Sequence, residues 1–344
     1  MNGTKTIVVA MSGGVDSSTT ATRLREEGYR VVGVTLAMGR KCDKRAIDDA
    51  QKVSEYIGIK HQVLDVSGPF RENVVDYFIN SYLNGITPNP CAVCNRTIKF
   101  KELVDFMHQI GADYVATGHY ANIVNNNGKY ELHKAICQVR DQSYFLSTLK
   151  YEYLQYIKFP LGNETSKSNV REYARNSGLH VAEKDDSQDV CFIETNYRDF
   201  IINNAKYAGK FGLIKHVNGE VLGEHGGIIN YTIGQRKGLG ISYKDPIYVV
   251  RIDVENNIVY VGGNEDLYSN TVKIYNMNVL AEIDENKEYT VKLRSANNGQ
   301  PGKIKLGADN TATVVLNEKT RAITTGQLCC LYDGTKVIAD GWIK

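Results

Sequence analysis

An apolar strand near the start of the chain runs directly into a glycine-rich turn, and the turn opens a helix. Residues 8–18 read Val-Val-Ala-Met-Ser-Gly-Gly-Val-Asp-Ser-Ser. Gly13 and Gly14 let the backbone bend and approach an anion closely. Ser12 and Ser17 add hydroxyl groups at the helix N-terminus, where backbone N–H groups already favour negative charge. The segment therefore predicts a strand–turn–helix unit that holds pyrophosphate.

The turn differs from two common nucleotide-binding loops. A Walker loop needs Gly-x-x-x-x-Gly-Lys-Ser/Thr and a dinucleotide fold needs Gly-x-Gly-x-x-Gly, and residues 8–18 contain neither pattern. The order of residues resembles the PP-loop of N-type ATP pyrophosphatases, which implies that ATP is cleaved between its α- and β-phosphates. Asp16 is then available to organise the turn or to hold a magnesium ion.

Size and composition set the broad class of protein. With 344 residues, 42% of them hydrophobic, the chain is long enough for two or three domains. The net charge of +2 neither indicates nor excludes a nucleic-acid partner. No apolar run approaches the roughly 20 residues that span a bilayer, and the first residues show no secretory or transit pattern, so we expect a cytoplasmic protein without a membrane span. Seven cysteines in such a chain favour catalytic or metal-binding thiols over a disulfide framework.

Residues 1–205 have the alternating pattern of an α/β domain. Apolar strand-like runs alternate with stretches that are apolar at every third or fourth position, which predicts a parallel sheet covered by helices. Ligands bind such sheets beyond the carboxyl ends of the strands, so the turn, residues 35–38 and residues 116–120 are predicted to share one ATP pocket. The predicted strands are 6–10, 31–35, 62–66 and 114–117, and the predicted helices are 17–27, 45–57, 70–84 and 97–110.

The pattern changes after residue 205. Residues 206–268 are rich in Gly and Asn and contain two short alternating strands, 247–254 and 258–261, so they predict a small β-rich central domain. Residues 269–344 have strand patterns without intervening helices, and closing these strands into a small β-barrel would bury their edges. The predicted barrel strands are 271–279, 289–293, 303–306, 312–316, 328–332 and 336–342.

Two thiols stand three residues apart in the segment 87–95, Thr-Pro-Asn-Pro-Cys-Ala-Val-Cys-Asn. This segment predicts a Pro-rigid loop before the helix at 97–110, whose dipole would lower the pKa of Cys91 and Cys94. Cys191 stands in a polar loop that is predicted to move, so it could meet Cys94 across a pocket. No second Cys-x-x-Cys or Cys/His pair completes a zinc site, so we predict that these three thiols are reactive. The other four cysteines are predicted to be packing or surface residues.

Six ordered motifs together resemble the tRNA-specific 2-thiouridylases over nearly the whole chain. The resemblance implies catalytic, central and β-barrel domains, in agreement with the three segments above. It also implies the reaction: O2 of the wobble uridine in a tRNA attacks the α-phosphate of ATP, pyrophosphate leaves, and sulfur then displaces AMP at C2. The motifs are residues 12–18, 87–90 with 94–95, 116–120, 141–146, 187–193 and 231–240.

The resemblance also implies which residues bind ATP and carry sulfur. Cys94 would be the catalytic thiol and Cys191 would carry a persulfide, so that attack by the Cys191 sulfur and reduction by Cys94 leave a disulfide. Asp16 joins the two thiols as a predicted catalytic residue, and magnesium would bind the phosphates. The residues predicted to bind ATP are Ala10, Met11, Ser12, Gly13, Gly14, Val15, Asp16, Ser17, Met38 and Gly118.

The implied partner is a tRNA whose target base leaves the anticodon stack to be reached. His119 would approach the flipped base, and Asn89, Pro90 and Cys91 would border it. Residues 235–237, Gln-Arg-Lys, either add phosphate contacts or form a solvated loop. Further predicted contacts with the anticodon stem-loop are Arg140, Asp141, Gln142, Arg294, Ser295 and Gln327.

One departure from the family pattern concerns Cys91, where the family commonly has Asp. The site then contains three thiols, Cys91, Cys94 and Cys191, which suit a [4Fe-4S] cluster with one open iron that binds hydrosulfide and delivers it to the activated base. Alternatively, Cys91 is a resolving thiol or only fills the Asp position, and the persulfide relay operates. The sulfur donor is accordingly free sulfide or a cysteine desulfurase relay, and we expect a monomer.

Two other functions compete with this interpretation. Another PP-loop ligase or amidotransferase would adenylate a carboxylate or a purine, but such an enzyme leaves Cys94 and Cys191 without a role. An RNA-binding scaffold with a vestigial nucleotide pocket would bind tRNA without releasing pyrophosphate, but the intact turn argues against it. Pyrophosphate release that depends on tRNA distinguishes the three.

Overall fold

A computed structural model describes residues 3–185, 190–194, 196–207 and 209–344. The strands are β1 (Thr6–Ala10), β2 (Arg30–Ala37), β3 (Lys60–Asp65), β4 (Tyr114–Ala116), β5 (Ala121–Asn126), β6 (Lys129–Lys134), β7 (Ile157–Lys158), β8 (Gly212–His216), β9 (Val221–His225), β10 (Tyr248–Asp253), β11 (Ile258–Gly262), β12 (Tyr268–Val279), β13 (Tyr289–Lys292), β14 (Gln300–Leu306), β15 (Ala312–Arg321), β16 (Leu328–Asp333) and β17 (Lys336–Ile343). The α-helices are α1 (Val15–Glu26), α2 (Asp43–Tyr56), α3 (Ser67–Phe70), α4 (Asp76–Leu83), α5 (Pro90–Cys94), α6 (Phe100–Gln109), α7 (Ser143–Leu146), α8 (Lys167–Asn176) and α9 (Tyr197–Ala205). Single π-helical turns span Arg71–Val75 and Asn95–Lys99, and 3₁₀ turns span Tyr151–Tyr156, Ile228–Asn230 and Glu265–Leu267.

The first sheet is parallel throughout and positions the nucleotide turn. Its strand order is β3-β2-β1-β4-β7, so β1 lies in the middle and Val8 and Val9 are fully buried. The turn follows β1 and opens α1, and β2 and β4 end beside it. The predicted parallel, helix-covered sheet is confirmed. The sequence analysis missed β7, a two-residue strand at the sheet edge.

The second sheet has the strand order β10-β11-β8-β9, with β11 and β8 parallel and the other pairs antiparallel. β10 and β11 correspond to the two strands predicted in this segment, whereas β8 and β9 were not predicted. Ile214, Val249 and Val259 are fully buried between this sheet and its loops. The domain boundaries near residues 205 and 268 stay a prediction.

The strands of the fully described C-terminal segment, 268–343, close into the predicted barrel. The order is β12-β15-β14-β13-β16-β17, and β12 pairs with β17 to complete the ring. The hairpin β5–β6 from the first part of the chain extends this sheet, because Lys336 on β17 pairs with His133 on β6. The sequence analysis did not foresee this junction.

The barrel and the parallel sheet share one apolar core. Val8 of β1, Phe100 of α6 and Tyr332 and Trp342 of the barrel belong to the same buried cluster. The barrel therefore supports the helix that follows the two neighbouring thiols. Among the residues described, none of the helices combines the length and apolar character needed to cross a membrane.

Candidate active site

The nucleotide turn between β1 and α1 is held by its own hydrogen bonds. Ser12 N donates to Ser17 Oγ at 3.1 Å, and Ser17 Oγ donates to Gly14 O at 3.2 Å. Gly13 has a φ of +66°, and a Cβ atom there would lie 2.5 Å from Ala46 O, so the position requires glycine. The backbone is therefore fixed around the place where a phosphate would bind.

Three side chains from distant parts of the chain fasten this turn. Asp16 accepts a hydrogen bond of 2.8 Å from Tyr120 and pairs with Lys167 Nζ at 2.7 Å. Lys184 Nζ donates to Gly13 O at 2.8 Å. These contacts agree with the first of the two roles predicted for Asp16, organising the turn. The sequence analysis missed both lysines, because nothing in a local pattern links residues more than 150 positions apart.

One cavity of about 400 Å³ joins the nucleotide turn to the thiols. A neighbouring cavity of about 600 Å³ also touches the turn and shares Ser12 and Asp16 with the first. The residues predicted for ATP that line the first cavity are Ala10, Met11, Ser12, Asp16, Ser17, Met38 and Gly118. The first cavity is also lined by residues that were predicted to contact the tRNA or to take part in sulfur transfer: Pro90, Cys91, Cys94, His119, Gln142 and Cys191. The neighbouring cavity is lined by Gly14, Val15 and Arg140, among others.

Several predicted tRNA contacts hold the protein together in this structure. Asp141 accepts hydrogen bonds from Ala135 N at 3.0 Å and from Ser143 Oγ at 2.8 Å. Gln142 Oε1 accepts from Tyr120 N at 2.9 Å. Gln142 lines the cavity whereas Asp141 does not, and the contact of both side chains with tRNA stays a prediction.

The predicted barrel contacts lie apart from the cavity. Arg294, Ser295 and Gln327 line neither of the two cavities described above. Arg294 donates to Ala322 O at 2.8 Å, and Gln327 donates to Thr87 O at 3.0 Å. Gln327 thus ties the barrel to the loop that precedes the thiols. Binding of tRNA by these three residues also stays a prediction.

The two neighbouring thiols lie on a helix rather than in a loop before one. Asn89 caps α5, its Oδ1 accepting from Ala92 N at 3.3 Å, and Pro90 occupies the first helical position. α5 continues through the π-turn Asn95–Lys99 into α6. The predicted helix start near residue 97 is therefore wrong by about two turns. The local signal was present, because an Asn cap followed by Pro is typical of a helix start.

Burial dominates the electrostatics of these two thiols. Cys94 is 8% exposed, and burial raises its pKa to about 11. Desolvation also raises the pKa of Cys91, although this residue is exposed at the cavity wall. The positive charge of Lys99 lowers both pKa values, but by less than burial raises them. The net shift of both pKa values is therefore upward, opposite to the direction predicted from the helix dipole.

Cys191 lines the same cavity and carries a cationic neighbour that the sequence analysis missed. Arg40 lines the cavity together with Cys191 and is ion-paired with Asp43 at 2.7 Å. Burial lowers the pKa of the Arg40 guanidinium, but Cys191 and Asp43 together raise that pKa by more than burial lowers it. The net shift is therefore upward. Arg40 follows the carboxyl end of β2, a position where such sheets bind ligands. Part of the predicted motif around Cys191, residues 187–189, lies outside the described residues.

The three thiols do not form a metal-binding group as they stand. Within the described ranges, no set of three His, Cys, Asp or Glu side chains is placed to hold one metal ion. Cys91, Cys94 and Cys191 share a cavity wall and are recorded as free thiols. A [4Fe-4S] cluster held by these three thiols stays a prediction from the sequence.

Comparison with known proteins gives matches along almost the whole chain. Residues 5–195 match the tRNA methyl transferase HUP domain, residues 198–263 the tRNA methyl transferase PRC-barrel domain, and residues 269–343 the aminomethyltransferase β-barrel domain. The tRNA-specific 2-thiouridylase MnmA of Rickettsia rickettsii (strain Sheila Smith) is 46% identical, over 98% of this chain and 96% of that protein. The proteins of the same name from Rickettsia conorii and Orientia tsutsugamushi are 47% and 44% identical, each over 98% of this chain and 95% of their own length.

Proposed function

The chain belongs to the tRNA-specific 2-thiouridylase family, and from this premise we propose that its cavity adenylates a wobble uridine of tRNA and then exchanges the activated oxygen for sulfur. The chain is accordingly a tRNA sulfurtransferase that uses ATP. One observation carries the finer proposal: the nucleotide turn and three thiols line the same cavity. A ligase that needs only the nucleotide turn leaves those thiols unexplained.

In the first step, the turn would hold the phosphates of ATP against the N-terminus of α1. Uridine O2 attacks the α-phosphorus as N3 loses its proton, the bond to the β-phosphate oxygen breaks, and pyrophosphate leaves with that electron pair. Magnesium would neutralise charge on the phosphates. Both Asp16 oxygens already have partners in Tyr120 and Lys167, so the phosphates rather than Asp16 would hold the ion.

In the second step, Cys191 would carry a persulfide supplied by a persulfide-donor protein. The terminal sulfur attacks C2, the bond from C2 to the activated oxygen breaks, and AMP leaves. The Cys94 thiol then loses its proton and attacks the Cys191 sulfur; the bond to the transferred sulfur breaks, its electron pair stays with that sulfur on the base, and the thio-base takes up a proton. The product is a Cys94–Cys191 disulfide, which a thiol reductant returns to two thiols. The shared cavity wall and the cation Arg40 beside Cys191 support this route.

One observation, the presence of Cys91 as a third thiol, favours a second sulfur route through an iron–sulfur cluster. Cys91 lines the same cavity as Cys94 and Cys191, and three thiolates are the ligand set of a cluster with one open iron. Cys91, Cys94 and Cys191 would hold such a cluster through their thiolates, and its open iron would supply a binding place for hydrosulfide.

The experiment that tests the proposal measures 2-thiouridine by nucleoside mass spectrometry in unmodified tRNA incubated with ATP and magnesium. Iron-free protein receives a cysteine desulfurase relay, and anaerobically iron-reconstituted protein receives sulfide. A tRNA with cytidine at the wobble position is the matched control. We expect product from the iron-free protein, with one AMP and one pyrophosphate per modified base.

The other outcomes are equally decisive. Product only from the iron-reconstituted protein would replace the persulfide route with the cluster route. Absence of product in both arms would contradict the proposed reaction. Pyrophosphate release that requires a carboxylic or amino acid instead of tRNA would support the ligase alternative.

A further inference from the structure

Lys99 is a cation of the cavity that none of the motifs points to. It lines the cavity together with Cys91, Cys94 and His119. It ends the π-turn Asn95–Lys99, in which the N–H of Phe100 donates to Asn95 O five residues earlier. In a regular α-helix, side chains five positions apart differ by about 140° around the axis. The wider π-turn stacks such residues more nearly on one face, so it explains how Cys94 and Lys99 reach the same cavity.

The hydrogen bonds of Lys99 fix the state of the neighbouring histidine. Lys99 Nζ lies 3.3 Å from His119 Nε2. An ammonium group only donates, so Nε2 accepts, and Nδ1 carries the proton that is donated to Thr117 Oγ1 at 2.7 Å. Burial and the charge of Lys99 lower the pKa of His119 well below its ordinary value. The cavity therefore presents a neutral imidazole beside a fixed positive charge.

Lys99 also differs from the other lysines near the nucleotide turn. Lys167 and Lys184 are paired with Asp16 and Asp49, at 2.7 Å and 2.6 Å. Among the side chains that the structure describes, no carboxylate lies within ion-pairing distance of Lys99, although it is half-buried. A half-buried ammonium group that no described carboxylate neutralises is suited to an anion that arrives during the reaction.

We propose that Lys99 is a further catalytic residue, whose ammonium group contacts the sulfur anion that attacks C2 of the adenylated base. The inference rests on the proposed function. In this step the sulfur electron pair forms the C2–S bond, the C2–O bond breaks, and its electron pair leaves on AMP. Lys99 neither gains nor loses a proton. We assign it to sulfur transfer, because its charge acts on Cys91 and Cys94 and its ammonium group contacts His119.

The test compares two half-reactions in Lys99→Met, Lys99→Gln and Lys99→Arg. Removing one electrostatic donor from an active site costs about 10² to 10³ in rate. We expect Lys99→Met to release pyrophosphate in the presence of tRNA within about threefold of the wild-type rate, and to form 2-thiouridine at least about 100-fold more slowly. Lys99→Arg, which keeps the charge, should recover part of the thiolation. Lys101→Met is the matched control, because Lys101 is exposed and pairs with Asp105 and Glu102 on the surface.

Lys99→Gln separates the charge from the hydrogen bond, since its amide can still donate to His119 Nε2. We expect it to lose thiolation as Lys99→Met does. Wild-type thiolation by Lys99→Gln would overturn the proposal, and so would an equal loss of both half-reactions, which indicates a structural or ATP-binding role. Failure of the wild-type protein itself to thiolate would instead contradict the proposed function.

Discussion

The hydroxyl group of Tyr120 donates a hydrogen bond of 2.8 Å to Asp16 Oδ1. Tyr120 follows β4, and Asp16 lies in the first turn of α1, so this bond fastens the nucleotide turn to the neighbouring strand. Lys167, the first residue of α8, holds the other carboxylate oxygen at 2.7 Å. The shape of the turn therefore depends on a carboxylate whose two oxygens are both in use.

We predict that Asp16→Asn lowers tRNA-dependent pyrophosphate release by about 100-fold and that Tyr120→Phe lowers it by about 10-fold, because hydrogen bonds to charged groups contribute about 1.5–3 kcal/mol. Single-turnover release at saturating ATP is the measurement. Tyr173→Phe is the control, since Tyr173 also donates to a carboxylate, Glu26, but on the exposed side of α8. Rescue of Asp16→Asn by raised magnesium would show that Asp16 is a metal ligand instead.

Gly118→Ala should damage ATP binding. A Cβ atom at Gly118 would lie 2.8 Å from the Asp16 carbonyl carbon and 2.9 Å from Ser17 N, so the turn would have to move. Small displacements of a site can cost about 10² in rate, and we expect ATP affinity to fall by about 10- to 100-fold while tRNA affinity is unchanged. Equilibrium binding of ATP and tRNA measures both. Gly226→Ala is the matched control, because nothing lies within 4 Å of its added Cβ. Wild-type ATP affinity in Gly118→Ala would contradict the role of this close approach.

Replacing each of the three thiols of the cavity should affect 2-thiouridine formation to a different extent. On the persulfide route, Cys94→Ser and Cys191→Ser abolish 2-thiouridine formation but leave tRNA-dependent pyrophosphate release intact, since the sulfur atoms act only after adenylation. Cys91→Ser should keep thiolation within about tenfold of wild type, because a resolving thiol is dispensable for a single turnover. Cys137→Ser is the control variant. A complete loss in Cys91→Ser, together with a loss of bound iron, would favour the cluster.

The sequence predicted the parts of the fold that rest on local periodicity. The alternation of apolar strands and amphipathic helices identified β1, β2 and the parallel sheet. The run of strand patterns without intervening helices in residues 269–344 identified the barrel. It did not identify the junction of β6 with β17, because His133 and Lys336 are about 200 residues apart and their pairing has no local pattern. The pairing of strands that are distant in sequence depends on tertiary packing, and a local stretch of sequence does not specify that packing.

The site was predicted less completely than the fold. Pro90 was interpreted as part of a rigid loop, although it also fits the first position of a helix, so the burial of Cys94 was missed. Lys99 was missed for a different reason. Its side chain reaches the thiols only because a π-turn shifts the register of the helix, and a π-turn has no simple residue pattern.

Asp340 gives the protein a pH-dependent stability. This β17 carboxyl is fully buried, and neither oxygen accepts a hydrogen bond of ordinary geometry from the described residues, although Ser147 and Asn278 lie close enough to lower its pKa. Burial raises its pKa to about 7, against the attraction of Arg96, which follows the thiol-bearing helix. An unfolded aspartate titrates near pH 3.9, so between about pH 4 and 7 the folded protein binds the extra proton and its stability falls as the pH rises.

We therefore expect Asp340→Asn, a neutral side chain of the same shape, to raise the thermal midpoint by roughly 5 °C at pH 8. Below pH 5 the carboxyl of the wild-type protein is protonated in the folded state, so most of the difference should disappear there. Thermal unfolding at pH 4.5, 6 and 8 measures the effect. Asp333→Asn on the same hairpin is the control, because Asp333 is exposed and pairs with Lys287. An equal shift of the thermal midpoint at all three pH values would contradict this explanation. It would mean that the substitution acts through packing in the barrel and not through the buried charge of Asp340.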